Sequence, residues 1–431
     1  MAAGGRPGRT SRLWYRAASM AAGPHDTRIS ESAAPIAGRL PARVAHVATI
    51  AESLTILLGN QLEAIGAAGY DVTGVSAPGP AVAALPVRHV AAPFVRATSL
   101  TPFADLRALL ALVRIFRRER FTIVHTHTAK PDLYAAIAAR LAGVPIVVTT
   151  LHGFFFHDHM PRFWRRFYIM LARIGMHFAD AVLSQNPEDL ETARNERVCP
   201  PEKIEFLGNG IDIERFARER VDPAEVRRRR EALGIPEGAP VIGFVGRLVA
   251  DKGIIELMEA ARAVRERFPA VRFVLVGMID RAKGDVIQPE IAAEYGVSDA
   301  CVFTGQREDM PELYAMMDVL VLPSHREAFP RAPMEASAMG VPVIATDVRG
   351  CRTAVEHGRN GLLVPLKDSQ ALAAAIVSLL DNASGRARMA AEGRRMAVER
   401  FDERLVFDKV LATYRRLLAA KGLPCPTAPV I

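Results

Sequence analysis

DVLVLPSHREAFPRAPMEASAMGVPVIAT, residues 318–346, holds one complete strand–loop–helix–strand unit. DVLVLPS is a short apolar run of the kind that forms a buried strand, and VPVIAT is another. Between them, Pro330 and Pro333 forbid a continuous helix, because each lacks an amide donor and crowds the preceding turn. Pro333 suits a helix's first position. Gly340, followed by Pro342, stops that helix. Glu327 therefore falls on the loop at the carboxyl end of a strand. Glu335 falls in a helix's first turn, where the dipole favours a carboxylate. Ionised carboxylates only accept hydrogen bonds, so the pair suits gripping the hydroxyls of a sugar or a ribose. Taken singly, Glu335 reads as helix stabilisation and Glu327 as an exposed loop charge.

The same alternation extends in both directions. RVAHVATI, DVTGVSAPG, FTIVHTHT, VPIVVTTLHG, DAVLSQN and KIEFLGNGID read as strands, with helices between the earlier ones. The first helix takes Ser53 as N-cap and Gly69 just past its end. A charged stretch containing RRRR, near 209–240, reads as a linker. The alternation then restarts with VIGFVGRL, VRFVLVG, CVFTG, DVLVLPS, VPVIAT and GLLVP. Strands separated by helices imply parallel, doubly wound sheets. The expected organisation is a disordered tail at 1–40, Rossmann-like domains at 41–210 and 211–400, and a closing helix at 401–431 that packs back towards the first domain. In open α/β sheets ligands bind beyond the carboxyl ends of the strands. The two domains are thus expected to face a central cleft.

Composition narrows the partners. The net charge of +8 on 431 residues favours an anionic partner or a solvated basic surface. Cys199, Cys301, Cys351 and Cys425 share no paired spacing and read as free thiols of a reducing compartment. No apolar run reaches the ~20 residues that span a bilayer. The amino-terminal stretch lacks the apolar core of a secretory signal, and Met20 is an alternative start.

GRLVADKG (246–253) follows the strand VIGFV and opens a helix. Gly246 allows a tight turn. Arg247 and Lys252 place two cations beside a helix N-terminus, a setting suited to a diphosphate. It is neither GxGxxG nor a Walker loop, and a generic loop with solvated cations is the plain alternative. No Asp-x-Asp occurs in the chain, which argues against a metal-held diphosphate. HTH (125–127) and HDH (157–159) each put two imidazoles on one strand face, but no third ligand is evident, so no metal is expected. In PRFWRRFYIMLARIGMHF (161–178), Arg162, Arg166 and Arg173 lie opposite Phe163, Phe167, Leu171, Ile174 and Phe178. That pattern fits a domain helix with a wet face or an interfacial helix on anionic lipid.

GRLVADKG together with HREAFPRAPMEASAMGVPVIAT resembles the retaining family 4 glycosyltransferases of the GT-B fold, whose E-x7-E mark is matched by Glu327 and Glu335. SLTILLGNQLEAIGAAGYDVTGVSAPG and IVHTHTAKPDLYAAIAARLAGVPIVVTTLHGFFF are similar to a bacterial branch that builds surface polysaccharides and lipid-linked oligosaccharides. The resemblance spans roughly residues 42 to 420. It implies a UDP-sugar donor, no cofactor, and a glycan or lipid-linked acceptor at the cytoplasmic face of the plasma membrane. Peripheral contact would run through 161–178, and no nucleic acid is implied. By the same resemblance, Arg247 and Lys252 bind the diphosphate and stabilise it as leaving group. Glu327 holds the transferred sugar, with the backbone of Ala328 and Phe329 close by, and Glu335 binds the ribose. His152, in TLHGF, stands near the reacting centre. The sequence departs from the family at Ala328, where many members have Gly, and in TIAESLT, which lacks their Gly pair. Rivals of the same architecture are a nucleotide-sugar epimerase and a non-catalytic partner subunit; a glycosidase fits less well, since hydrolysis needs no diphosphate site.

Overall fold

The computed structural model describes residues 42–95, 101–157, 160–279 and 285–426. The tail expected at 1–40, Met20, and Asp158 and His159 of HDH lie outside them. The chain divides into two compact units, residues 1–207 with 407–431, and residues 208–406.

The first unit is built on seven strands: β1 (Arg43–Ile50), β2 (Asp71–Ala77), β3 (Arg88–Ala91), β4 (Ile123–His127), β5 (Ile146–Leu151), β6 (Ala181–Ser184) and β7 (Ile204–Phe206). All pair in parallel, in the order β3-β2-β1-β4-β5-β6-β7. The order reverses between β1 and β4, so their carboxyl ends mark a topological switch point. The interior strands are buried on both faces, which explains their continuous apolar runs. β3 was not evident from the sequence. RHVA is short, partly exposed and lacks an apolar run, and only its register on β2 makes it a strand.

The second unit has β8 (Val241–Val245), β9 (Arg272–Val276), β10 (Cys301–Gly305), β11 (Val319–Leu322), β12 (Val343–Thr346) and β13 (Gly361–Val364). Its order is β10-β9-β8-β11-β12-β13, again wholly parallel, with the reversal between β8 and β11. The charged stretch near 209–240 is not a bare connection. It folds into this unit, with a helix at Pro223–Ala232 and Arg230 donating to the carbonyl of Ala239 at 2.7 Å.

Two helix starts differ from expectation. β1 runs straight into the helix Ala51–Ala67, so the N-cap is Ile50 and Ser53 lies inside the first turn. The helix between β11 and β12 spans Arg331–Ala338 with Pro330 as its cap. Pro333 is its third residue, where a missing amide hydrogen still costs nothing. Glu335 is its fifth, beyond the first turn.

Candidate active site

At the switch point of the second unit, the loops after β8 and β11 leave adjacent strands. A 3₁₀ turn at Ala250–Lys252 leads through Gly253, at φ +70°, into the helix Ile254–Arg267. A Cβ on Gly253 would stand 2.1 Å from the Pro323 carbonyl oxygen, so only glycine allows this approach. Gly246 has no positive φ; the left-handed residue of GRLVADKG is Gly253. The approach puts the Lys252 ammonium on Glu327 Oε1, which also accepts from the Ser324 hydroxyl at 2.8 Å. Both charged side chains are largely buried, so their attraction is weakly screened.

Several contacts hold the Glu327 loop. His325 donates its backbone amide to the carbonyl of Asp251 and pairs its ring with Glu256 at 2.8 Å. The Asn209 amide donates to the Phe329 carbonyl at 3.0 Å. Phe329 is buried edge-on to Phe401, with centroids 6.0 Å apart, an arrangement worth about 0.5–1.5 kcal/mol beyond burial. Ala328 backs onto Gly350. Glu335 accepts from the Tyr314 hydroxyl at 2.8 Å, with Arg331 3.7 Å away. Burial pushes its pKa up despite Arg331 and Tyr314. Arg247 is half-buried on the loop after β8. Asn209, Gly253, Gly350 and Tyr314 escaped the sequence reading because each acts through a partner distant in the chain, whereas Ser324 lies three residues before Glu327 and reads by itself as an ordinary strand-end residue.

The first unit gathers a second group at its own switch point. His46 on β1 stands opposite His125 on β4, with His127 two residues further along the same face. A third imidazole therefore does exist beside HTH, and the three side chains offer ligand atoms within 4.8 Å of one another. Their nitrogens are nevertheless committed. His125 meets Thr150 Oγ1 at 2.7 Å and the Tyr414 hydroxyl at 2.6 Å. That hydroxyl meets His46 Nε2 at 3.2 Å, and His46 Nδ1 meets His127 Nε2 at 3.0 Å. His127 Nδ1 meets His152 Nε2 at 3.3 Å, and His152 Nδ1 meets Gln185 Oε1 at 3.0 Å. Burial lowers all four histidine pKa values, His46 to about 3 and His152 to about 4. A tetrahedral ion needs its ligands' lone pairs turned to one point. Here they are filled along a line, and the donor set fits a hydrogen-bonded chain.

Two parallel, doubly wound sheets in one chain are the architecture of the GT-B fold, and Lys252 and Glu327 meet at the switch point of the second. "Glycosyl transferases group 1" matches residues 225–396, and "Glycosyltransferase Family 4" matches residues 53–215. The UDP-Gal:alpha-D-GlcNAc-diphosphoundecaprenol alpha-1,3-galactosyltransferase of Escherichia coli is 31% identical over 280 residues, covering 64% of this chain and 71% of that protein. The capsular polysaccharide biosynthesis glycosyltransferase CapM of Staphylococcus aureus is 27% identical over 390 residues, 87% of this chain and 97% of its own. Among solved structures, Anabaena HepE in complex with UDP-glucose is similar in fold with a TM-score of 0.73, at 23% identity over 87% of this chain and 99% of that one. The chain belongs to glycosyltransferase family 4 and is a retaining hexosyltransferase.

Proposed function

We propose that this enzyme transfers a hexose from a UDP-sugar, with retention and without a metal, to a lipid-linked or growing glycan at the inner face of the plasma membrane. The observation that carries the reading is the Lys252–Glu327 contact at the second unit's switch point. Breaking the sugar–phosphate bond builds negative charge on the diphosphate and positive character on the sugar. Lys252 has three donors and spends one on Glu327, so the others can meet phosphate oxygens; Arg247 supplies the second cation. Glu327 accepts from the sugar's hydroxyls, with the backbone of Gly246, Ala328 and Phe329 nearby. Glu335 accepts from the ribose. We assign attack to the face the phosphate leaves, the phosphate helping to remove the acceptor's proton. His152 contributes a neutral imidazole, because burial holds its pKa at about 4.

A lipid-linked acceptor is supported by the Escherichia coli relative, whose name specifies a diphosphoundecaprenol-linked substrate. The helix Arg162–His177 supports membrane contact. Phe163, Trp164, Met170 and Ile174 are exposed beside the exposed Arg162, Arg166 and Arg173. No helix among the described residues is long and apolar enough to cross a membrane.

The test is a panel of nucleotide sugars assayed for nucleotide release, with and without lipid extract, with the anomeric configuration of the product read by NMR. Lipid-dependent UDP release with retention is expected. An epimerised sugar formed from donor alone would replace transfer with epimerisation.

A further inference from the structure

The buried histidines of the first unit form one unbroken chain: Thr150, His125, Tyr414, His46, His127, His152, Gln185. A neutral imidazole has one N–H and one lone pair. With the Gln185 amide oxygen facing the chain, His152 donates from Nδ1 and accepts at Nε2 from His127 Nδ1. His127 accepts at Nε2 from His46 Nδ1. His46 accepts at Nε2 from the Tyr414 hydroxyl, whose oxygen accepts from His125 Nδ1. His125 accepts at Nε2 from the Thr150 hydroxyl. Every donor meets an acceptor, and all four rings carry their proton on Nδ1. Turning the Gln185 amide over would reverse all six bonds together. The bonds thus tie the four tautomers to one shared direction, while the burial of His46, His125 and His127 inside the sheet disfavours an added charge.

We infer that His46, His127, Tyr414 and Gln185 are positioning residues that lock His152 as a neutral imidazole of one tautomer and one orientation. This rests on the reading that places His152 beside the reacting sugar. There the lock serves the chemistry. The sugar gains positive charge as its bond to phosphate breaks, and a cationic imidazole beside it would oppose that charge. His152 is the partly exposed ring of the four; His46, His125 and His127 are fully buried and cannot touch substrate. Tyr414 lies on the helix Glu403–Ala420, so the last helix of the chain takes part in orienting a ring at the end of β5.

Two measurements test the lock on the full chain. In protein labelled with ¹⁵N-histidine, two-bond ¹H–¹⁵N correlations report the protonated nitrogen of each ring, with His152 assigned by its loss in His152→Gln. Four neutral rings, protonated on the same nitrogen, are expected at pH 7. A cationic ring among the four, opposite tautomers in His127 and His152, or stoichiometric zinc held by the cluster would overturn the inference. The second measurement uses Tyr414→Phe, which removes the linking hydroxyl and keeps the ring. A mixed His46 tautomer is expected, with kcat about tenfold lower and donor KM within twofold. Unchanged tautomers and unchanged kcat would sink it. Should that variant not fold, Gln185→Met breaks the chain at its other end and is read the same way. The NMR measurement needs no turnover. If no donor is consumed, the transfer reading fails while the lock is still decided; if transfer occurs and the tautomers disagree, the lock alone fails.

Discussion

Gly350 lies against the backbone of Glu327: a Cβ added at position 350 would stand 2.6 Å from the carbonyl carbon and oxygen of Glu327. Those are backbone atoms, so the loop carrying the carboxylate would have to move. Displacement of about 1 Å can cost a hundredfold in rate. Gly350→Ala is expected to fold and to lower kcat at least tenfold. Gly66→Ala is the control, because its added methyl meets nothing within 4 Å; in a helix it adds up to about 1 kcal/mol of stability. Equal activity in both variants would show that the contact does not position Glu327.

Lys252 and Glu327 are held as a pair, and each is expected to fail differently. Glu327→Gln keeps the shape and loses the charge; transfer should fall by about two orders of magnitude with the fold intact. Lys252→Ala removes the proposed phosphate donor and leaves a largely buried carboxylate without its cation, so donor affinity, kcat and stability should fall together, the last by about 1–3 kcal/mol. Calorimetry with UDP and thermal melts check both. Undiminished UDP affinity in Lys252→Ala would remove that residue from the diphosphate site.

Glu335 carries a pKa raised by burial. A carboxyl whose folded pKa exceeds its unfolded value contributes stability at low pH that is lost as pH rises through the folded value. Glu335→Gln should therefore melt at least as high as the native chain at pH 7.5 and lose that advantage near pH 4. With the proposed ribose contact gone, donor KM should rise about tenfold. A lower melting temperature at pH 7.5 with unchanged KM would contradict both halves.

The histidine chain predicts acid sensitivity. Its folded pKa values lie below the unfolded 6.5, at about 3 for His46 and about 4 for His152. The unfolded state therefore binds protons first. Stability is complete above pH 6.5 and declines as pH falls towards the folded values, by up to ~1.4 kcal/mol per pH unit for each ring. Urea midpoints at pH 7.5 and pH 5 measure this. A midpoint that does not move would show that the rings are not held neutral.

Exposed aromatics on Arg162–His177 predict lipid binding. Phe163→Asp with Trp164→Asp should weaken sedimentation with phosphatidylglycerol vesicles about tenfold or more, with helicity unchanged. Equal binding of the variant and the native chain would take this helix out of the membrane contact.

Residues close together in the chain settled much of this protein in advance. Apolar runs, prolines and glycines along 318–346 suffice to write strand, loop, helix and strand, because those preferences are local. The loop position of Glu327 was legible for the same reason. Helix starts at Ala51 and Arg331 were not, since the strand or loop packed before each of them chose where the turn began. β3 needed its neighbour's register. Contacts between distant segments came from sheet order, which no local preference encodes. Placing β11 beside β8 brings Lys252 to a carboxylate 75 positions away. Packing the last helix on the first sheet brings Tyr414 to His46, 368 positions away. The imidazoles of HTH read as strand residues alone; burial and a hydroxyl from the far end of the chain gave them a shared direction of hydrogen bonding.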